Sequence, residues 1–292
     1  MKFKLLPSWK SVGASLLLTV LGAGISDLEV WAHSGDEVFR AQIITAATGQ
    51  VRGRVQILQN GNMQVKIGLV TPGGSYQVWR HDTLTDTDTQ IAVITDLNGD
   101  GFILGVEGRF KPFVRGTSFS SAFLFIPSTA GLTPPFVSLD DSSFVSGFAI
   151  PLFPSSSKPL FVSDILNVVN GAPGVEKGRV RVRSNGIGKI EIEDVTPGSS
   201  YQVCRHNTVP DTDAAVAVIT DFDQDGEIDG PEGTLPSSSF PPGTSASLTF
   251  ILLPSGPSGT SCPTPPLSLG SDSFVSGFSL RKDHDEDEDD DD

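Results

Sequence analysis

The chain is one unit written twice. Val70-Thr-Pro-Gly-Gly-Ser-Tyr76-Gln-Val-Trp79-Arg-His81 returns 125 residues later as Val195-Thr-Pro-Gly-Ser-Ser-Tyr201-Gln-Val-Cys204-Arg-His206. The register holds without a gap from Gly53 to Gly108 against Gly178 to Gly233, with 31 of 56 positions identical. It resumes at Ser143-Phe-Val-Ser-Gly-Phe148 and Ser273-Phe-Val-Ser-Gly-Phe278, five residues later in the second repeat. A unit of this size can bury a core of its own, so the pattern excludes a solenoid of short repeats. We expect two tandem domains, 33–150 and 161–280. The Pro- and Ser-rich residues 151–160 read as a linker, because Pro and Ser continue neither helix nor strand well.

Inside each repeat the apolar period is two. Val55/Ile57 and Val65/Ile67 alternate with polar residues, as do Val180/Val182 and Ile190/Ile192. Alternation of this kind marks half-buried strands. Asn60-Gly61 and Asn185-Gly186 lie between the paired runs, and both residue types tolerate the positive φ of a tight hairpin. Ile91–Ile94 and Val216–Ile219 are apolar throughout, as a central strand would be. No amphipathic helix pattern follows residue 33. The expectation is an all-β chain of two β-sandwiches.

The run Val-Thr-Pro-Gly-x-Ser-Tyr-x-Val resembles the Leu-x-Pro-Gly-x-x-Tyr corner of fibronectin type III and immunoglobulin-like sandwiches. There the Tyr hydroxyl ties a strand corner to the backbone. The resemblance implies a fold and no function.

After the apolar strand the second repeat reads Asp221-Phe-Asp223-Gln-Asp225-Gly226-Glu227-Ile228-Asp229-Gly-Pro-Glu232. This resembles the twelve-residue EF-hand calcium loop. Calcium takes about six to eight hard oxygens, and a Gly at position 6 allows the sharp turn that gathers positions 1, 3 and 5. The resemblance implies Asp221, Asp223 and Asp225 as ligands, a backbone carbonyl from Glu227, a contribution from Asp229, and closure by Glu232. The first repeat matches with Asp96, Asn98, Asp100, Phe102 and Glu107, but Leu104 replaces the acid at position 9. Five carboxylates against three predict the tighter site in the second repeat. No helices flank either loop, so a helix-opening sensor is not implied.

The formal net charge of −15 excludes wrapping of a nucleic-acid backbone and makes cations the natural partners. Residues 281–292 hold nine acids, a self-repelling run expected to be disordered. At the other end, Lys2, Lys4 and Lys10 precede an apolar run from Val12 to Ile25, too short to span a bilayer. We read 1–32 as a secretory signal cleaved after Ala32, leaving a secreted, periplasmic or cell-surface protein with no membrane span. Cys204 and Cys262 are the only cysteines and can form one disulfide in an oxidising compartment, or remain thiols.

No nucleophile elbow, His-Glu-x-x-His or phosphate loop is present. The expected role is a non-catalytic, calcium-binding structural or interaction protein, whose partner is an envelope or extracellular protein or a glycan. The alternative is a copper- or carbohydrate-handling enzyme with His33 as an amino-terminal ligand and His81 or His206 as a second. Otherwise His81 and His206 read as surface or capping residues.

Overall fold

The computed structural model of the chain describes residues 37–134, 139–140, 142–153, 159–208, 211–246, 248–256, 258–262, 269–270 and 272–280. The proposed signal, His33 and the acidic run lie outside these residues. The first repeat supplies β1 (Glu37–Thr45), β2 (Val51–Leu58), β3 (Met63–Gly68), β4 (Ser75–Asp82), β5 (Thr87–Thr95), β6 (Phe102–Ile103), β7 (Arg109–Phe110), β8 (Ser118–Phe119), β9 (Ser121–Pro127) and β10 (Phe144–Ala149). The second supplies β11 (Pro159–Val169), β12 (Ala172–Arg183), β13 (Gly188–Ile192), β14 (Ser200–Thr208), β15 (Asp211–Thr220), β16 (Thr234–Leu235), β17 (Ser245–Ala246), β18 (Leu248–Ser255) and β19 (Phe274–Ser279). Pro159 and Leu160, expected in the linker, already belong to β11. Two single 3-10 turns are the helical content of the described residues. None of it is long and apolar enough to cross a membrane.

All pairings are antiparallel. The first repeat runs β5–β4–β9–β10–β1–β2–β3, and β6 and β7 add to the free edge of β3. The second runs β15–β14–β18–β19–β11–β12–β13, with β16 on β13. The Asn-Gly turns close β2–β3 and β12–β13, with Gly61 and Gly186 at φ +81° and +78°. Those are values that residues with a Cβ resist.

The two repeats are joined by strand pairing. β1 leaves β10 and pairs with β11 at Arg40↔Val162 and Phe39↔Ser163. Gln42 faces Gly147 as Asp164 faces Gly277, so Arg40 and Val162 are equivalent positions meeting each other. A local two-fold axis passes between them. The exchange is reciprocal: β10 pairs with β17 through Phe148↔Ala246, and β19 with β8 through Phe278↔Phe119.

One main core therefore runs through both repeats. Phe39, Phe123, Phe125, Phe148, Phe161, Phe240, Phe250 and Phe278 are among its largest fully buried side chains. Phe39 meets Phe161 across the axis, edge to face at 5.8 Å. Edge-to-face contact suits the ring quadrupoles, and a dry core offers no partner to a phenol hydroxyl. Each repeat also carries a smaller outer cluster. Ile44, Leu124, Ile126, Leu139 and Val145 form that of the first. Leu166, Val168, Cys204, Ile251 and Val275 contribute to that of the second. The Cys204–Cys262 disulfide fastens the loop before β19 onto this second cluster.

Candidate metal centre

Each acidic loop follows the last residue of β5 or β15, which lie at the edge of the sheet and not at its centre as their apolar runs suggest. Its first carboxylate is buried, and backbone N–H groups hold it. Asp221 Oδ1 accepts from Gln224 N at 2.7 Å, while Oδ2 accepts from Gly226 N and Gly198 N, both at 3.1 Å. Asp96 does the same with Gly99, Gly101 and Gly73 at 2.9, 2.9 and 3.1 Å. Burial opposes ionisation of both acids. The backbone donors outweigh it and hold both carboxyls below their ordinary pKa.

Gly73 and Gly198 belong to the Pro-Gly corner of the repeated motif, so corner and loop are one construction. Val70 N and Val195 N donate to the carbonyls of Gly101 and Gly226, the position-6 glycines. The Tyr76 hydroxyl accepts from Thr71 N at 3.4 Å in the same corner. The apolar eighth position closes the loop from the other side. Ile103 pairs with Ile67 in the first repeat and Ile228 with Ile192 in the second.

In the second repeat, one carboxylate oxygen from each of Asp221, Asp223 and Asp225 lies within 4.8 Å of the others. Asp223 and Asp225 are exposed, and Asp221 closes the floor. Glu232 bends back over the loop entrance, its Oε1 accepting from Phe222 N at 2.7 Å and Asp223 N at 3.2 Å. Burial and the charges of Asp225 and Glu232 raise the Asp223 pKa. The Glu227 carboxyl is raised mainly by Asp225, then by burial and by Glu193 and Asp229. Mutual repulsion of this kind is what a bound cation relieves. Glu227 and Asp229 are not part of the aspartate trio.

The first repeat keeps the backbone and changes the donors. Glu107 Oε1 accepts from Leu97 N and Asn98 N at 2.9 and 3.2 Å. The Asn98 amide donates to Asp100 Oδ2 at 3.0 Å, spending a donor on the neighbouring acid. Phe102 N is tied to Asp100 Oδ1 at 2.8 Å. Three carboxylates do not meet here, since position 3 is an amide.

The histidines depart from the surface role expected of them. His81 is 6 % exposed and His206 fully buried. Their rings stack at 5.8 Å across the boundary between the repeats. Nδ1 of His81 lies 3.1 Å from Asp88, and Nδ1 of His206 lies 3.2 Å from Asp213. The Asp86 carboxylate lies 3.9 Å from His81 Nε2. Two histidines still fall short of the three or four ligands of a zinc or copper centre. Among the described residues, the aspartate trio is the one group of at least three candidate ligand atoms.

No family model, curated protein or solved structure matches this chain.

Proposed function

We propose that the chain is an exported, non-catalytic calcium-binding protein whose duplicated β-sandwich halves are stiffened by calcium at the two acidic loops. The observation that carries this reading is the convergence of Asp221, Asp223 and Asp225 on one point of a loop closed by Glu232. Hard carboxylate oxygens suit calcium better than a soft or redox metal. The loop backbone is already tied to the strand corner, so little ordering remains for the ion to impose. The disulfide supports an oxidising, extracytoplasmic location.

Calcium would act by mass action, binding the folded loop and not the unfolded chain. With an affinity of roughly 10⁻⁴–10⁻³ M, ordinary for extracellular modules, tenfold excess over Kd adds about 1.4 kcal/mol per site. Isothermal titration with Ca²⁺, paired with thermal melts at millimolar calcium and in chelator, tests the reading. Heat of binding and a higher melting temperature are expected. No heat and an unchanged melt would refute it.

A further inference from the structure

The acidic loop of the first repeat is rimmed by exposed aliphatic side chains that the second repeat does not keep. Leu97 and Val106 are 76 % and 84 % exposed, and Leu104 is exposed beside them. Glu107 gathers the three. Its carboxylate accepts from Leu97 N at 2.9 Å, its own N–H donates to Leu104 O at 3.2 Å, and Val106 precedes it. Leu69, 70 % exposed, stands across the loop, next to Val70 and its bond to Gly101. Its φ of +59° is one that an aspartate accepts more readily than a leucine, and Asp194 adopts the same value in the second repeat. Neither its backbone nor burial accounts for a leucine there. Arg109 and Lys111 come two and four residues after Glu107, and both are exposed.

At the equivalent positions, 125 residues on, the second repeat has Asp194, Phe222, Asp229 and Pro231 in place of the aliphatics, and Thr234 and Pro236 in place of the cations. The strands confirm the match, since Phe110 of β7 faces Met63 as Leu235 of β16 faces Gly188. Charge separates the loops further. Residues 96–111 hold three acids and two cations; residues 221–236 hold six acids and no cation. The two charges of a bound Ca²⁺ bring the first stretch from −1 to +1 and leave the second at −4.

Side chains this exposed are knobs and not the walls of a groove. A knob needs no preformed socket where headgroups meet acyl chains, and there apolar area and attraction to anionic lipid add together. Leu104 also supplies no oxygen at position 9, so a calcium held there takes that ligand from outside the loop, from water or from a headgroup phosphate. Given the calcium binding proposed above, we propose that the tip formed by Leu69, Leu97, Leu104, Val106, Arg109 and Lys111 docks on an anionic lipid surface. The aliphatic side chains enter the headgroup boundary, and calcium reverses the sign of the charge behind them. The remaining acidity of the chain is screened beyond about 8 Å at physiological salt.

Co-sedimentation of the full chain with mixed phosphatidylserine and phosphatidylcholine vesicles, beside calorimetric Ca²⁺ titration, is the test. The chain should pellet with these vesicles at millimolar Ca²⁺, and not in chelator or with phosphatidylcholine alone. L69S/V106S removes no loop ligand. It should keep the heat of calcium binding and bind the vesicles roughly tenfold or more weakly. K111E carries the same test if that variant does not fold. Calcium heat without pelleting, undiminished pelleting in chelator, or unweakened binding by L69S/V106S would each overturn the docking and leave the calcium reading standing. No heat at all would overturn both. Calcium-dependent self-association in sedimentation velocity, with no vesicle binding, would assign the tip to a second copy of the chain and overturn the lipid surface.

Discussion

At one point of the sheet the first repeat places Gln42 and the second Asp164. Gln42 Oε1 accepts the N–H of Ala149 at 2.7 Å, and Asp164 Oδ2 that of Ser279 at 3.1 Å. The hydrogen bond is kept while the charge is not, and the change spreads. Asp164 is fully buried and needs Arg179, which in turn lies 3.9 Å from Glu176. Trp79 of the first repeat, bonded to Gln77 at 3.1 Å, becomes Cys204 and a disulfide in the second. Asn98 and Leu104 become Asp223 and Asp229. One backbone thus supports two chemistries. The first repeat relies on neutral packing with cations outside; the second relies on paired charge, a covalent clamp and a denser set of carboxylates.

The largest difference to break is the clamp. The disulfide closes a span of 58 residues, so C204A/C262A should lose about 3–4 kcal/mol in urea unfolding. Faster amide exchange should appear at Leu166 and Val168 before Ile44 and Leu124. Equal loosening of both outer clusters would remove the asymmetry.

Asp164 comes next. Burial first, and then the charge of Glu176, raise its pKa to about 7 despite Arg179. The sign follows from proton binding. Between the unfolded value of 3.8 and the folded value near 7, the folded protein holds the proton more tightly than the unfolded chain. Stability from this group is therefore full below about pH 4 and lost as pH rises through 7. D164Q, which installs the residue of the first repeat, should flatten this slope by a few kcal/mol between pH 4 and pH 8. Denaturation midpoints across that range decide it, and an unaltered slope would exonerate Asp164.

The loops rank third. D221N should abolish the larger share of calcium-induced stabilisation, about 1.4 kcal/mol at tenfold excess, and D96N the smaller. The reverse order in calorimetry would contradict the carboxylate count. The smallest effect belongs to the sheet surface. E191K breaks the exposed pair with Arg181 and should cost less than about 1 kcal/mol. Thermal melts in low and high salt should show the cost vanishing as salt rises.

The strands were legible in the sequence because alternation and Asn-Gly turns are local signals, and β2, β3, β12 and β13 lie where those signals place them. The pairing of the cysteines was open from spacing alone. The acidic loops stood out because twelve positions repeat in register, but the N–H groups of Gly73 and Gly198 that hold the first carboxylate come from a corner 23 residues earlier. The meeting of the repeats was not legible. Nothing near Arg40 or Val162 announces that they face each other, since pairing between distant strands is set by the shared core. The same omission hid His81 and His206, whose burial depends on the other repeat.

The reciprocal exchange of β10 and β19 has an evolutionary reading. Each half lends a strand end to the other and receives the equivalent one back, which is the geometry of a symmetric homodimer joined into a single polypeptide. While such halves are separate and identical, every substitution on the axis strikes twice, so a residue there must be compatible with its own image. Joining them lifts that constraint. Arg40 can then face Val162 instead of another arginine, and Gln42 and Asp164 can diverge. The chemical asymmetry of the two halves is what fusion of a self-complementary ancestor makes available.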